Sequence, residues 1–267
     1  MLAASASLLN VKVVILDVGE HGPAKQILAP TKPELAHIDG SFTDTQKILE
    51  LAEKVDILTV EIEHVGVDAL DKVAQTRGVQ IYPSPSTIRL IQDKYNQKKH
   101  LQKAGIAVAE FFEIPEPTPD AIRTAIDKLG LPLMIKSRTL AYDGRGNFVI
   151  RRASQIEEAL AALKDRPLYA EKWVNFEREV AVMVVRTVNG SVASYPAVET
   201  VHRDNICLLT FAPLRSSNPT TIANAQGLAE SAVLTFEGAG IFGVEMFQLV
   251  DGVTFSYIRH WLNLTLS

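Results

Sequence analysis

One stretch constrains the fold more than any other: Pro132–Gly146, with the sequence PLMIKSRTLAYDGRG. A short apolar run carries Lys136 and opens into a charged loop that contains Gly144 and Gly146. A run of this length is typical of a strand, and the apolar run after the loop predicts a return strand, hence a β-hairpin. A lysine can also hold phosphate oxygens while glycines let the backbone approach them, so the loop has the chemistry of a phosphate clamp. An ordinary hairpin loop with a solvated Asp-Gly turn fits the same residues, and the stretch alone does not separate the two.

Length and composition are those of an ordinary globular protein. The chain has 267 residues, 47% hydrophobic and 22% charged, enough for one large domain or two modest ones. The net charge of −4 argues against a general nucleic-acid binder, which needs a basic surface. Apolar runs fall short of the roughly 18 residues of a membrane span, so we expect no membrane partner. Cys207 is the only cysteine, which excludes an intrachain disulfide and favours a reducing, cytoplasmic compartment.

The first 82 residues alternate apolar runs with amphipathic segments. Strands are predicted at Val11–Asp17, Asp56–Ile62 and Gln80–Tyr82, and helices at Asp44–Val55 and Val67–Arg77. Strands that alternate with helices predict a parallel sheet, so this region is interpreted as a small α/β domain.

A cluster of prolines and serines, Pro83–Ser86, marks a candidate domain boundary, and the pattern changes after it. The helices predicted beyond it are Pro85–Gln92, Asp93–Ala104, Thr118–Gly130, a helix from the capping box Ser154–Glu157 to Lys164, and Thr220–Glu237. The strands predicted beyond it are Phe111–Ile114, the Lys136 strand, Asn147–Arg151, Leu168–Trp173, Arg178–Val188, Ser191–Glu199, Asn205–Phe211, Gly243–Val250 and Val253–Ile258. Asn189-Gly190 and Asp251-Gly252 are hairpin signals, so this second region is interpreted as α+β with antiparallel strands.

Three acids lie on or beside strands of the second region: Glu171, Glu179 and Glu245. Each of them alone is explained as a strand-edge surface group or as one member of an ion pair, because an unpaired buried charge is costly. Together with Lys136 and the glycine loop, they could bind ATP and Mg²⁺, since carboxylates hold the metal ions that bridge phosphates.

These residues carry a family resemblance. The matching segments, besides Lys136, are TLAYDGRG at Thr139–Gly146, YAEKWVNFEREVAV at Tyr169–Val182, YPAVETVHRDNIC at Tyr195–Cys207, GIFGVEMF at Gly240–Phe247, VEIEHV at Val60–Val65 and IQDKYNQK at Ile91–Lys98. They resemble the ATP-grasp enzymes of purine biosynthesis, specifically N5-carboxyaminoimidazole ribonucleotide synthetases. Within that family the chain is similar to the N-terminal part of the fungal bifunctional phosphoribosylaminoimidazole carboxylases, and the likeness covers almost all of residues 1–252.

The resemblance implies an ATP-grasp fold preceded by a small, Rossmann-like pre-ATP-grasp domain with a parallel sheet. It places the pre-ATP-grasp domain at residues 1–84 and the ATP-grasp domain at residues 85–256. Residues 257–267 form a tail that does not match the family. Members of this family are commonly homodimers, so a homodimer is expected.

The implied reaction uses ATP to activate bicarbonate as carboxyphosphate, which then carboxylates the amine of aminoimidazole ribonucleotide. Transferred by motif position, the ATP-binding residues are Lys94, Lys136, Leu140, Ala141, Tyr142, Asp143, Gly144, Arg145, Gly146, Glu171, Lys172, Trp173, Val174, Glu179 and His202. Glu171–Val174 would contact adenine, Glu179 the ribose, and the two lysines the phosphates. Tyr142 and Asp143, with Glu63, would face the aminoimidazole substrate. Tyr142, Asp143 and Arg145 are the implied catalytic residues, and Glu245 the implied Mg²⁺ ligand.

Two departures from the family pattern stand at the ends of the chain. Family members begin with a strand and a loop of the GGGQLGRM type, and Met1 falls where the last residue of that loop would be. In a hairpin turned by Asp251-Gly252, the residue opposite Glu245 is Ile258, where the family has a metal-binding glutamate. Isoleucine cannot ligate Mg²⁺, so we expect a chain truncated at both ends and impaired in catalysis.

Two other functions stay open. The chain could be a non-catalytic remnant that binds ATP or dimerises without turnover. It could also be another carboxylate–amine ligase on the same fold, although the YDGRG and NFEREV segments argue against that.

Overall fold

The computed structural model of the protein describes residues 2–76, 78–140, 146–163, 166–203, 206–252 and 254–262, with side chains to Ser256. The chain divides into two compact units, one formed mainly by residues 1–89 and the other by residues 90–261. This division falls inside the helix Pro85–Gln92, just after the predicted domain boundary.

The first unit contains two pairs of parallel strands among the described residues, so the predicted parallel pairing is confirmed, whereas the single predicted sheet is divided into two and the strand Ile38–Asp39 was not predicted. Its strands are β1 (Leu16–Asp17), β2 (Ile38–Asp39), β3 (Ile57–Thr59) and β4 (Gln80–Tyr82). β1 pairs with β2 and β3 pairs with β4. Two strands are shorter than predicted, Val11–Asp17 and Asp56–Ile62, because within the described residues only their last or central residues find a pairing neighbour.

The helices of the first unit follow the apolar periodicity of its sequence. They are α1 (Leu2–Leu8), α2 (Pro23–Ile27), α3 (Thr45–Ala52), α4 (Val67–Thr76) and α5 (Pro85–Gln92), the last of which runs past residue 89. α3 begins where the Asp44 side chain accepts hydrogen bonds from the backbone of Gln46 and Lys47, and it buries Ile48 and Ala52. The predicted helices Asp44–Val55 and Pro85–Gln92 are therefore confirmed, the first with shorter ends.

The helices of the second unit are α6 (Lys94–Lys103), α7 (Pro119–Leu129), α8 (Ile156–Ala162) and α9 (Pro219–Leu234). Thr118 caps α7 through its side chain, and Gly130 ends it at a φ of 80°, as predicted. The capping box at Ser154–Glu157 is wrong. A 3-10 turn, Ala153–Gln155, precedes α8 and places Ser154 inside the turn, where its hydroxyl accepts from Arg152 instead. No helix in the described ranges is both long and apolar enough to cross a bilayer.

A four-stranded antiparallel sheet forms one half of the second unit. Its strands are β5 (Phe111–Ile114), β6 (Leu133–Ser137), β7 (Asn147–Ile150) and β8 (Leu168–Lys172), in the order β5-β8-β6-β7. On β6, Leu133 and Ile135 point into a buried core with Ile122 of α7 and Ala159 of α8. Because side chains alternate along a strand, Lys136 lies on the opposite face of the sheet.

A larger sheet forms the other half of the second unit. Its strands are β9 (Phe176–Arg186), β10 (Val192–Ser194), β11 (Val198–Arg203), β12 (Ile206–Phe211), β13 (Gly240–Leu249) and β14 (Phe255–Leu262). The order is β12-β11-β9-β13-β14, with β10 also paired to β9. The single predicted strand Ser191–Glu199 is wrong, since residues 195–197 interrupt it and Pro196 has no N–H for a ladder.

The last hairpin turns one residue earlier than predicted. The Gly252 N–H donates to the Leu249 carbonyl, so Val250 and Asp251 occupy the centre of the turn instead of Asp251 and Gly252. The Leu249 N–H donates to the Thr254 carbonyl, which is the facing pair that the predicted alignment requires. The side chain of Ile258 lies outside the described residues, so its placement opposite Glu245 stays a prediction.

Candidate functional site

Lys136 stands on the polar face of the four-stranded sheet, opposite the apolar core. Its direct neighbours on that face are Tyr169 of β8 and Asn147 of β7, and Glu171 lies two residues further along β8. α6 covers this face, since the Tyr95 ring packs against Tyr169 with 6.1 Å between ring centroids. The alternation of side chains along β6 therefore places Lys136 on the sheet face that α6 covers, among polar and aromatic groups.

The Glu171 carboxylate contacts three polar side chains, and we call the four residues the lysine cluster: Lys98, Lys136, Tyr169 and Glu171. Lys136 Nζ lies 2.9 Å from Glu171 Oε2, and Lys98 Nζ lies 3.3 Å from Oε1. The Tyr169 hydroxyl donates to the same Oε1 over 2.8 Å. The ion-pair interpretation of Glu171 is thus confirmed, and its carboxylate lies inside the sheet, not at a surface edge.

Burial and charge set the protonation of this cluster. Burial, the largest single influence, favours the neutral acid at Glu171, but Lys136, Lys98 and the hydrogen bonds from Lys136 and Tyr169 outweigh it. Together they lower the pKa of Glu171 to about 2. Burial also lowers the pKa of Lys98, with the charge of Glu171 opposing that shift. Glu171 is therefore ionised throughout the physiological range.

An ion-pair network ties the start of α6 to the end of β6. Asp93 caps α6 by accepting from the backbone N–H groups of Tyr95 and Asn96, and it also receives the Arg138 guanidinium at 2.6 Å. The Arg138 carbonyl in turn accepts from the Lys94 N–H over 2.8 Å. This hydrogen bond holds the backbone of Lys94, a predicted phosphate ligand, beside Arg138, which lies two residues after Lys136 in the sequence.

The predicted glycine loop leaves the same end of β6. Ser137 N–H donates to the Gly146 carbonyl over 2.7 Å, so the two ends of the loop are held together as a hairpin. Leu140 is exposed and has a φ of 55°, in the left-handed region. Ala141, Tyr142, Asp143, Gly144 and Arg145 lie outside the described residues.

On the larger sheet, the predicted groups share one face. Glu179 of β9 lies directly opposite Thr200 of β11, and its Oε2 is 3.0 Å from His202 Nδ1. Glu245 of β13 faces Ala181, which lies two residues after Glu179 on β9 and therefore on the same face of the sheet. Diagonal residues of this kind are on the order of 7–8 Å apart, so both carboxylates and the histidine belong to one patch.

Two other sets of predicted binding residues lie outside the patch on the larger sheet. Glu171–Val174 covers the end of β8 and the residues that follow it, where the Lys172 N–H donates to the Glu110 carbonyl over 2.9 Å. Glu63 belongs to the first unit, in the turn between β3 and α4, where its buried carboxylate lies 4.0 Å from His64 Nε2.

In the described part of the chain, no group of three or more His, Cys, Asp or Glu side chains is placed to hold a metal ion. A Mg²⁺ ion that accompanies a nucleotide needs less, because one or two carboxylates suffice beside phosphate oxygens and water. Glu245, which is partly exposed, fits the role of one such carboxylate.

Sequence reasoning missed three residues of the site: Lys98, Asp93 and Arg138. Lys98 is one of four lysines in α6, yet it is almost completely buried. Its spacing carried the signal, because Tyr95, Lys98 and Leu101 follow one another at intervals of three and share the buried face of α6. No comparable signal marked Arg138, whose partners are distant in sequence.

Comparison with known families matches nearly the whole chain. Residues 1–92 match the ribonucleotide synthetase preATP-grasp domain, and residues 99–258 match the ATP-grasp domain.

Individual relatives agree with these matches. The chain is 56% identical over 252 residues to phosphoribosylaminoimidazole carboxylase of Ogataea methanolica, covering 94% of this chain and 45% of that protein. It superimposes with a TM-score of 0.93 on carboxyaminoimidazole ribonucleotide synthase of Aspergillus clavatus complexed with ATP, at 47% identity, covering 100% of this chain and 68% of that one. The same synthase in complex with ADP and 5-aminoimidazole ribonucleotide gives a TM-score of 0.91 at 47% identity, covering 98% and 66%. The chain thus spans less than half the length of the carboxylase that it resembles.

Proposed function

Because this chain belongs to the ATP-grasp family, in its carboxyaminoimidazole ribonucleotide synthase branch, we propose that it serves the ATP-dependent carboxylation of 5-aminoimidazole ribonucleotide in purine biosynthesis. In this reaction a bicarbonate oxygen attacks the γ-phosphorus of ATP, which forms carboxyphosphate and releases ADP. The amine of the ribonucleotide then attacks the carboxyl carbon, which forms a C–N bond and releases phosphate. The activity is that of the phosphoribosylaminoimidazole carboxylase system, of which this chain spans a part.

The observation that carries the proposal is the lysine cluster. It sets two lysines against a single carboxylate on a largely buried sheet face. Charges act more strongly there than in water, so a phosphate group is attracted to Lys136. Phosphoryl transfer needs such positioned cations more than covalent help.

The remaining roles follow the family pattern. Lys94 and Lys136 bind phosphates, and the loop Leu140–Gly146 covers them. Glu171–Val174 contacts adenine through its backbone, since the Glu171 carboxylate is occupied by the lysines. Glu179 and His202, which touch each other, bind the ribose.

Substrate and metal roles complete the proposal. Tyr142 and Asp143 of the loop and Glu63 of the first unit bind aminoimidazole ribonucleotide, with Arg145 acting on the transferred groups. Glu245 holds Mg²⁺, which when bound neutralises phosphate charge. Ile258 would leave that ion without a second protein carboxylate.

Three further features belong to the same proposal. The pre-ATP-grasp domain ends near residue 84, and the ATP-grasp domain runs from 85 to 256. The protein acts as a homodimer on small molecules, with no nucleic-acid or membrane partner. Its compartment is the cytoplasm, which suits a chain whose one cysteine, Cys207, is free.

The test measures ADP release by the purified chain with ATP, Mg²⁺, bicarbonate and 5-aminoimidazole ribonucleotide. We expect release that depends on both bicarbonate and the ribonucleotide, and a product heavier by one carboxyl group in mass spectrometry. Release that ignores the ribonucleotide would contradict the proposed substrate.

A second function, ATP binding without turnover, is favoured by one sequence feature: Ile258 stands where the family pattern has the second metal-binding carboxylate. Calorimetry separates the two functions, since a non-catalytic chain would bind ATP and release no ADP. Restoring a carboxylate with Ile258→Glu should then raise ADP release if the second metal ligand is what such a chain lacks.

A further inference from the structure

We propose that Lys98 is a positioning residue that shares the Glu171 carboxylate and so leaves Lys136 free to move its ammonium group to the phosphates of ATP. The inference rests on the proposed ATP binding and adds to it a residue with no assigned role. It begins with the division of the carboxylate. Oε2 belongs to Lys136 at 2.9 Å, whereas Oε1 belongs to Tyr169 at 2.8 Å and Lys98 at 3.3 Å.

Lys136 and Lys98 differ sharply in how much of their side chains is exposed to solvent. The Lys136 side chain is 15% exposed, whereas those of Glu171 and Lys98 are 7% and 2% exposed. Lys98 is also held from behind, because the Asp93–Arg138 ion pair fixes the start of α6 to the end of β6. Lys136 is therefore the member of the pair that can reach a ligand, and Lys98 stays.

The cost of moving Lys136 explains why a second lysine is needed. If Lys136 were the only partner of Glu171, its departure would leave a buried carboxylate without a counter-ion, which costs several kcal/mol. That cost would hold Lys136 in place and compete with phosphate. With Lys98 present, Glu171 keeps one counter-ion when Lys136 leaves.

The geometry of Lys98 suits this replacement. Its Nζ is buried and makes no hydrogen bond of acceptable geometry to any described residue, although it lies within ion-pair distance of Glu171. A shift of a few tenths of an ångström would bring it to the distance that Lys136 now has. Lys98 can then donate the hydrogen bond that Lys136 gives up.

The pairing in two variants predicts the outcome of a test. The wild-type cluster sets two lysines against one carboxylate, and Lys98→Met leaves an exclusive Lys136–Glu171 pair. Adding Glu171→Gln removes that pair and releases Lys136. Lys98→Met should still fold, because it replaces a buried charge by an apolar side chain and leaves the other pair intact.

The experiment measures the Kd for ATP with Mg²⁺ by calorimetry on the full chain. We expect Lys98→Met to weaken binding about tenfold, and Lys98→Met/Glu171→Gln to recover to within about threefold of wild type. Lys98→Arg should bind like wild type, since it retains the charge. The matched control is Lys99→Met, which removes the exposed lysine next along α6 and should change the Kd little.

Three outcomes of these binding measurements would overturn the inference. Unchanged affinity in Lys98→Met would show that Lys98 does not act on Lys136. Weakened binding that Glu171→Gln fails to rescue would indicate a purely structural role, and so would a loss of thermal stability that accounts for the weakened binding. ATP binding without ribonucleotide-dependent ADP release would contradict the proposed reaction alone, whereas a wild-type chain that binds no ATP would overturn both.

Discussion

The two sheets of the second unit treat their charged groups in opposite ways. On the four-stranded sheet, Glu171 and Lys98 are almost completely buried and pair within the lysine cluster, beneath α6. On the larger sheet, Glu179 and Glu245 are partly exposed on a face that they share with His202. Burial explains the difference, because a charge removed from water must have a partner inside the protein. The lysine cluster thus has its charges positioned in advance, whereas Glu179 and Glu245 of the larger sheet keep access to solvent.

The contrast is tested most strongly by removing one carboxylate from each sheet. Glu171→Gln leaves the buried Lys98 and the partly buried Lys136 without a counter-ion, so the free energy of unfolding should fall by about 3–5 kcal/mol. Glu179→Gln, which removes a partly exposed partner of His202, should cost about 1 kcal/mol or less. Urea denaturation measures both, and equal losses would remove the distinction between the sheets.

Acid should act on the smaller sheet through Glu171. Its pKa is lowered in the folded state to about 2 from 4.5, so its stabilising contribution is present above pH 4.5 and is lost as the pH falls towards 2. The loss is on the order of 3 kcal/mol. The stability difference between wild type and Glu171→Gln should therefore be large near neutrality and should shrink below about pH 4. A constant difference would show that the charge of Glu171 is not what stabilises the cluster.

Ligand binding should also distinguish the sheets. Lys136→Met removes the accessible cation of the lysine cluster, and the Kd for ATP should rise about 10- to 100-fold, while Lys98 keeps Glu171 paired. His202→Ala on the larger sheet should raise it only about threefold to tenfold. Calorimetry measures the Kd of both variants. The control is Lys103→Met, which removes the same charge as Lys136→Met from an exposed position of α6. Unchanged affinity in Lys136→Met would refute the phosphate role of this lysine.

The smallest effect is expected at an ion pair near the surface of the larger sheet. The Glu199 carboxylate forms ion pairs with Arg215 and Arg178. The pKa of Glu199 is lowered, mainly by the hydrogen bond from Arg215. The Arg215 side chain is half exposed, and Arg178 remains when it is removed. Arg215→Gln should therefore shift the midpoint of thermal or urea unfolding only slightly. A loss as large as that of Glu171→Gln would mean that pairing near the surface matters as much as pairing in the interior.

Most elements could be predicted because local signals agreed with one another. Phe111–Ile114 and Gln80–Tyr82 are short apolar runs, and each became a strand with those bounds. Thr118 and Gly130 mark the ends of α7 because a cap and a left-handed glycine act on their immediate neighbours. Two strands that were predicted too long share one cause. A strand needs a pairing neighbour, and Val11–Asp17 and Ser191–Glu199 lack one along part of their length within the described residues.

The candidate site was predictable only in part. The motif pattern pointed to Lys136, Glu171, Glu179, His202 and Glu245, and the structure places the first two in one cluster and the other three on one sheet face. The motif pattern did not reveal that the Glu171 carboxylate would pair with lysines. That pairing depends on which strand lies beside β6.

By itself, the sequence determined the order of strands and helices, the hairpin that carries Lys136, and the family to which the chain belongs. These depend on local periodicity, turn residues and motif spacing, all of which are written along the chain. Only the tertiary structure decided the partners of the charges: Lys98 became a buried counter-ion, and Asp93 met Arg138 from 45 residues away. Such pairs form where distant segments exclude water together, and the desolvation that makes them necessary does not exist until the chain has folded.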